Sequence, residues 1–312
     1  MVETVGGPVD AADLGVTLMH EHLCILSDGL VQAFPRVWDR QACLDEAVAR
    51  MHEAASHGVR TVVDLTVLGL GRDIDFIAEV AAQVPVNVVV ATGAYYFEQL
   101  PPYFRSRSID HLAEQFIADI EEGIGNTAIK AAVIKCTTDA PGVTDDVDKL
   151  LRATARAQLA TGALISTHSN ARSRTGLDQL RIFLEEGVDP SRIVIGHCGD
   201  TDDLDYLKEV GDSGAFMGLD RFGIDAQLPL EKRAATLVAL YQRGYGDQLV
   251  VSHDYCCYID WFPKDHPVLV PRSIGHLFVD VVPRLREAGL DQDAIDTLFV
   301  HNPRRALGGP KE

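Results

Sequence analysis

Residues 15–23 read GVTLMHEHL: an apolar run that ends on two histidines, His20 and His22, one residue apart. A β-strand alternates faces with period two, so both imidazoles share a side and Glu21 takes the other. Residues 16–23 are the first of eight such β-rich runs. The others are 61–66 (TVVDLT), 87–93 (NVVVATG), 131–136 (AAVIKC), 163–168 (ALISTH), 193–198 (IVIGHC), 215–220 (AFMGLD) and 248–254 (QLVVSHD). Most are near-continuous apolar stretches rich in Val and Ile, as strands buried on both faces should be. Between them apolar residues recur at helical spacing, as at Leu44, Ala47, Val48, Met51 and Ala55 in residues 41–57, before a stop at Gly58. Residues 109–122, 147–161, 177–186 and 230–243 repeat the pattern, each followed by glycine. Strand, helix, glycine, strand is the order of parallel βαβ units. Eight units without a linker or low-complexity tract predict an α/β fold, a single (β/α)8 TIM barrel spanning residues 1–312. A doubly wound sheet should carry a glycine-rich phosphate turn after its first strand, and this first strand ends in MHEHL.

The 312 residues are 46% hydrophobic and 24% charged, the composition of an ordinary globular chain. Length alone allows two domains, and the unbroken strand order favours one. The net charge of −18 argues against a nucleic-acid partner, which needs a basic footprint. The first residues lack a basic and apolar leader, and no run of about 18 apolar residues occurs, so neither secretion nor a membrane is expected. Six cysteines without a CxxC pair are too sparse for a disulfide scaffold. Reduced thiols in a cytoplasmic protein are the expectation.

In a barrel the active site lies at the C-terminal ends of the strands. There the sequence places His20 and His22 (first run), Lys135 (fourth), His168 (fifth), His197 (sixth) and Asp254 (eighth). Four of the eleven histidines occupy these positions. Burying each of them and a lysine separately would cost several kcal/mol unless they were paired or neutralised, so a shared metal site is the simpler reading. Lys135 cannot bind a cation as an ammonium. Burial lowers a lysine pKa, and the neutral amine can add carbon dioxide to become a carboxylate-like bridge. A salt bridge to Asp139 or Asp64 is the alternative.

The order HxH, strand-four Lys, two single His and a final Asp resembles the binuclear amidohydrolase superfamily. GVTLMHEHL, VVDLTVLGLGR, VIKC, ISTH, VIGHCGD, MGLDRFG, SHDYCC and NPRR look like the phosphotriesterase-like lactonases, a match running from about Gly6 to Leu307. The resemblance implies that His20 and His22 bind a buried metal with Asp254, that His168 and His197 bind a more exposed one, and that carboxylated Lys135 and a hydroxide bridge them. It also implies that Tyr95, in TGAYYF, stands near the bridging solvent and that Arg221, in GLDRFG, organises the substrate loop. Packing would explain Tyr95 equally, and an ion pair with Asp220 or Asp254 would explain Arg221. Mixed His and oxygen ligation suits two divalent ions, zinc first, with cobalt, manganese or iron as alternatives.

The implied activity is hydrolysis of lactones, N-acyl homoserine lactones among them (quorum quenching), with Asp254 taking the proton and phosphotriester cleavage as a side reaction. A primary organophosphate phosphotriesterase, another carboxylesterase, a TatD-like nuclease and a non-catalytic barrel are the competitors. The acidity and Lys135 count against the nuclease, and the complete ligand set counts against the non-catalytic barrel. Tyr255, Tyr258, Trp261 and Phe262, in the segment 255–272 after the last strand, are candidates for a substrate channel. A neighbouring loop or subunit could bury the same aromatics. The resemblance further implies a homodimer.

Overall fold

The computed structural model describes residues 1–263, 266 and 273–309. Among them nine strands form one sheet: β1 (Val16–His22), β2 (Val59–Asp64), β3 (Asn87–Gly93), β4 (Val133–Thr137), β5 (Leu164–His168), β6 (Ile193–Ile195), β7 (Phe216–Leu219), β8 (Leu249–Val251) and β9 (Tyr255–Cys256). Neighbours in the order β8-β7-β6-β5-β4-β3-β2-β1-β9 pair in parallel throughout. Each of the eight expected runs overlaps one of the first eight strands, β2 beginning two residues before its run and β4 ending one residue after its own. The ninth, the YC of SHDYCC, was not expected from two residues of sequence.

Helices connect the strands: α1 (Arg40–Ser56), α2 (Ile74–Ala81), α3 (Ile109–Glu121), α4 (Asp145–Thr161), α5 (Thr175–Glu186), α6 (Leu204–Asp212) and α7 (Leu230–Leu240). Their starts are chemical. The side chains of Asp39, Asp73, Ser108, Thr144 and Asp203 accept a backbone N–H in the first turn of α1, α2, α3, α4 and α6. Two of the ends are glycines in the left-handed region, Gly162 (φ 71°) and Gly187 (φ 93°), as the stop signals required.

The apolar core has two parts. One lies between sheet and helices and includes Leu44, Met51, Phe76, Leu112, Leu151, Phe183, Leu207 and Leu237. The other takes one or more residues from every one of β1 to β8: Met19, Val63, Val89, Val133, Leu164, Val194, Phe216 and Val250 pack in a single cluster, with Val2, Leu14, Ala306 and Leu307 joined to it. A flat sheet could not bring its first and eighth strands into one cluster, so the sheet is strongly curled. Its two ends are also close in the chain, since only residues 252–254 separate β8 from β9. Those residues are tied to β1: His20 N donates to Ser252 Oγ (2.9 Å), and Asp254 N donates to the His20 carbonyl (3.0 Å). Beyond β9 the contact continues as an Ile25–Ile259 bridge. Asp260 then accepts from both the backbone N–H (2.8 Å) and the hydroxyl (2.9 Å) of Ser27. This clasp fastens the loop after β9 to the loop after β1.

Strict alternation along β1 fails at one point. Met19 faces the inner cluster and Leu18 the outer one, which would send His20 outward. The pairing of β1 with β2 shifts register between Leu18 and Glu21, and this irregularity resets the phase so that His20 and His22 both reach the inside. Among the described residues none of the six cysteines enters a disulfide, and no helix is long and apolar enough to cross a membrane.

Candidate metal centre

One cavity of about 200 Å³ opens at the C-terminal ends of the strands, and His20, His22, Lys135, His168, His197 and Asp254 all line it. Tyr95 and Arg221 line it as well. Two of these residues do not stand on strands as expected. His197 and Asp254 lie just past β6 and β8 with φ of 61° and 52°. The left-handed turn re-aims each side chain into the cavity, at a cost of roughly 1 kcal/mol for a residue with a Cβ.

The imidazoles are held from behind. Asp220, at the end of β7, spans two of them, with Oδ2 2.9 Å from His20 Nδ1 and Oδ1 2.8 Å from His197 Nδ1. Thr66 Oγ1 is 3.0 Å from His22 Nδ1. His168 is turned the other way: its Nε2 lies 2.7 Å from Asp139 Oδ2, so its Nδ1 faces inward. The inner nitrogens then converge. His197 Nε2 and His168 Nδ1 are 2.9 Å apart, His20 Nε2 is 2.8 Å from Lys135 Nζ, and His22 Nε2 is 3.3 Å from Asp254 Oδ1. Donor atoms of His20, His22 and Asp254 fall within 4.8 Å of one another. Outer nitrogens bound to carboxylate or hydroxyl, with inner nitrogens facing a common space, is the arrangement that orients histidines toward metal ions. His20, His197 and Asp220 also cluster within that span, but the Asp220 oxygens are occupied at the outer nitrogens.

The protonation states agree with this. Burial lowers the His168 imidazole to about 4, against the opposing pull of Asp139. Burial, reinforced by Arg221, sets His197 well below its usual value, and burial with nearby Lys135 lowers His20. All three rings are therefore neutral near pH 7 and able to donate a lone pair. Burial also pulls the Lys135 amine down to about 8, despite Asp254 and Asp220 nearby. Neither Asp64 nor Asp139 takes up Lys135. Asp64 accepts from the backbone of Leu23 and Thr66, and Asp139 from Asn170 while facing His168.

Residues 1–307 match the sequence profile of the Phosphotriesterase family. The chain belongs to the phosphotriesterase family. It is 46% identical over 314 residues to a "Phosphotriesterase homology protein" of Mycobacterium tuberculosis (strain H37Rv), covering 97% of this chain and 96% of that one. It is also 46% identical over 301 residues to an "Aryldialkylphosphatase" of Saccharolobus solfataricus, covering 95% and 96%. A solved structure described as that of the phosphotriesterase from Mycobacterium tuberculosis superposes with a TM-score of 0.95 at 46% identity, over 98% of both chains. The protein is thus a phosphotriesterase-family hydrolase acting on ester bonds, with an α/β fold built on a curled parallel sheet and candidate His/Asp metal sites.

In this hydrolase Asp254 is the end of a chain of charges that runs from the cavity into the buried interior. Arg221 Nε donates to Asp254 Oδ2 (2.8 Å), and Arg221 Nη1 donates to Asp200 Oδ2 (2.9 Å). Asp200 Oδ1 in turn accepts from Arg233 Nη2 (2.7 Å). Burial pushes the Asp254 carboxyl upward, but Arg221 and His20 outweigh it and hold the group well below the usual carboxylate range. The Tyr95 hydroxyl lies 3.0 Å from His168 Nδ1, and burial raises its pKa, so it remains protonated. Asp139 and Asp220 entered the sequence reading only as possible ion-pair partners of Lys135 and Arg221, and Asp200 not at all, whereas Asp139 and Asp220 hold the histidines and Asp200 pairs with Arg221. A signal was available for two of them, since Asp139 and Asp220 sit just past strand ends, in TTDA and GLDR, while Asp200, in HCGD, lies in the turn that follows His197.

The outer part of the cavity is apolar, made by Ile25, Leu70, Ile224, Ile259, Trp261 and Phe262. Trp261 and Phe262 therefore stand where a channel was expected. Tyr255 and Tyr258 pack against the sheet–helix core instead. For Tyr255, pairing of β9 with β1 gives the reason, because alternation directs Cys256 into the cavity and Tyr255 away from it. Residues 264–265 and 267–272 of the expected 255–272 segment lie outside the described residues.

The amine of Lys135 carries a pH prediction for the protein freed of metal and carbon dioxide. Its folded value of about 8 lies below the unfolded 10.5. Below the lower value both states hold the proton and the cost of burying the ammonium is present in full. Between the two the folded state sheds its proton first, so stability rises with pH. The stability gap between wild type and Lys135→Met in urea unfolding should accordingly narrow from about pH 7 to about pH 10. An unchanged gap would show that the amine is not buried as a strained cation.

Proposed function

We propose that this enzyme is a metal-dependent lactonase acting on N-acyl homoserine lactones and related lactones, with phosphotriester hydrolysis as a secondary activity. The supporting observation is the two-zone cavity: convergent polar donors at its floor and an apolar wall from Ile25 to Phe262 above them. Such a cavity suits a small polar ring carrying an apolar chain. A primary phosphotriesterase is the second reading, favoured by the names of the 46%-identical relatives.

In this proposal His20, His22 and Asp254 hold one divalent ion, His168 and His197 hold a second, and Lys135 joins them as N6-carboxylysine. Zinc is the first choice of metal, and cobalt, manganese or iron would be accepted. When bound, the ions lower the pKa of water toward ~7 and polarise the ester oxygen. The chain's own groups do the rest. Asp254, kept ionised by Arg221, takes the proton of the attacking water and returns it to the departing ring oxygen. The protonated Tyr95 hydroxyl can donate to the substrate carbonyl. Ring opening leaves one hydroxy acid as product.

The architecture belongs to the same proposal: a single-domain (β/α)8 barrel, supported by the eight-strand inner cluster and the ties from β1 to residues 252–254. So does a cytoplasmic homodimer. Phe34 (62% exposed) and Val37 (52%), on the segment that follows β1, are exposed apolar side chains that a partner subunit would cover.

The deciding assay compares kcat/KM for a panel of lactones and a paraoxon-type triester with metal-loaded enzyme. A lactone should rank first; a triester ahead of every lactone by about tenfold, or about 1.4 kcal/mol, would overturn the assignment. Metal affinity gives an independent check on the ligand set. Asp139→Ala removes the group that turns His168 Nδ1 inward, and should weaken binding of one of two ions about 10- to 100-fold in a chelator competition. Unchanged affinity for both ions would remove His168 from the ligand set.

A further inference from the structure

A second cavity, of about 110 Å³, adjoins the same centre. His168, Arg221 and Gln227 line both cavities. The remaining wall comes from the turns after β4, β5 and β6, and it is polar where the main cavity is apolar: Asp139, Ser169, Asn170, Arg172 and Asp200, with Ala171 as the apolar exception. Exposed Arg172 and Gln227 stand at its mouth, where Arg172 Nη2 donates to the Gln227 carbonyl (2.8 Å).

From this geometry we infer that the second cavity is a water port, by which solvent reaches the centre while an apolar chain fills the main cavity. The inference rests on the ester-hydrolase reading and uses the apolar-chain part of the proposed function. Each ester bond cleaved consumes one water. A chain lying against Ile25, Leu70, Ile259, Trp261 and Phe262 closes the main cavity to solvent. The second cavity then offers a polar route to the centre.

Its charge decides what it admits. Two arginines and two aspartates balance, and they are already engaged: Arg221 bonds to both Asp200 and Asp254, and Asp139 accepts from Asn170 and faces His168. No net charge is left over to capture an anion or a cation. A space of this size, with several hydroxyl, amide and carboxylate groups around it, satisfies the needs of a few water molecules, each of which wants two to four polar partners.

The test fills the port without touching the main cavity. Ala171 is buried and lines the second cavity but not the first, so Ala171→Leu projects into it. Turnover is measured on a homologous series of lactones with short and long alkyl chains, together with metal content. The port predicts that kcat for the longest chain falls about fivefold or more while kcat for the shortest, which leaves the main cavity open to water, changes less than about twofold. Equal losses for both chains, or no loss for either, would overturn it. Arg172→Phe, at the exposed mouth, gives the same readout should Ala171→Leu fail to fold. If wild-type enzyme turns over no lactone, the lactonase reading fails by itself. The port is then tested with the same alkyl series in whichever ester class the enzyme cleaves.

Discussion

Asp254→Asn is expected to lower kcat by about a thousandfold or more while leaving the chain folded. Asparagine is the informative replacement because Asp254 sits at φ 52°, and Asn tolerates the left-handed region where Ala would add strain. Shape and backbone are kept, and the negative charge is lost. That charge faces Arg221 at 2.8 Å, His22 at 3.3 Å and His20 at 3.7 Å. Its removal eliminates both a proton acceptor and an anionic donor for the proposed metal. Folding should survive, because Arg221 retains its bond to Asp200. The measurement is kcat with metal content determined on the same sample. Retention of more than about a tenth of wild-type turnover, about 1.4 kcal/mol, would remove Asp254 from the proton-transfer role.

Arg233→Ala should be the most destabilising substitution of a residue outside the cavity, at about 3–5 kcal/mol of unfolding free energy. Arg233 is 2% exposed. Its guanidinium donates to the carbonyls of Leu228 (2.9 Å), Gly199 (2.6 Å) and Ile224 (3.0 Å) as well as to Asp200. Truncation removes the donor from the buried carbonyls of Leu228 and Gly199 and from half of a buried carboxylate, while the Ile224 carbonyl keeps the backbone N–H of Gln227. The effect on catalysis should be smaller, because Asp200 still accepts from Arg221 on its other oxygen. Urea unfolding measures the first, and kcat the second. A cost below about 1 kcal/mol would mean that water replaces the lost donors, as it does for exposed ion pairs.

The strand order and six of the cavity residues were legible because both depend on short-range pattern. Apolar runs of Val and Ile with a glycine after each helix mark βαβ units, and His, Lys or Asp at the end of such a run has few structural uses. What escaped depended on backbone detail. The irregularity in β1 that turns His20 inward leaves no residue-type signature in VTLMHEH. The left-handed turns at His197 and Asp254 end β6 and β8 three residues earlier than the apolar runs suggest. Tyr255 and Tyr258 were assigned to a channel by their chemistry, while pairing of β9 with β1 turns Tyr255 away from the cavity and Tyr258 packs against the sheet–helix core. Asp139, Asp200 and Asp220 have roles defined by partners far away in sequence, 29 residues for Asp139 to His168 and 200 for Asp220 to His20.

The clasp between Ser27 and Asp260 separates two rates of evolutionary change. The histidines at the cavity floor hang from strand ends, each braced by a carboxylate or hydroxyl just past the end of another strand, so a substitution at one of them disturbs two or three neighbours at once. Trp261 and Phe262 follow directly after Asp260 and hang instead from a few hydrogen bonds to Ile25 and Ser27. A lineage could thus exchange the wall, and with it the range of accepted chains, in a handful of mutations that never touch the reacting groups. Divergence among descendants of this scaffold should accumulate beyond Asp260 long before it reaches Asp254.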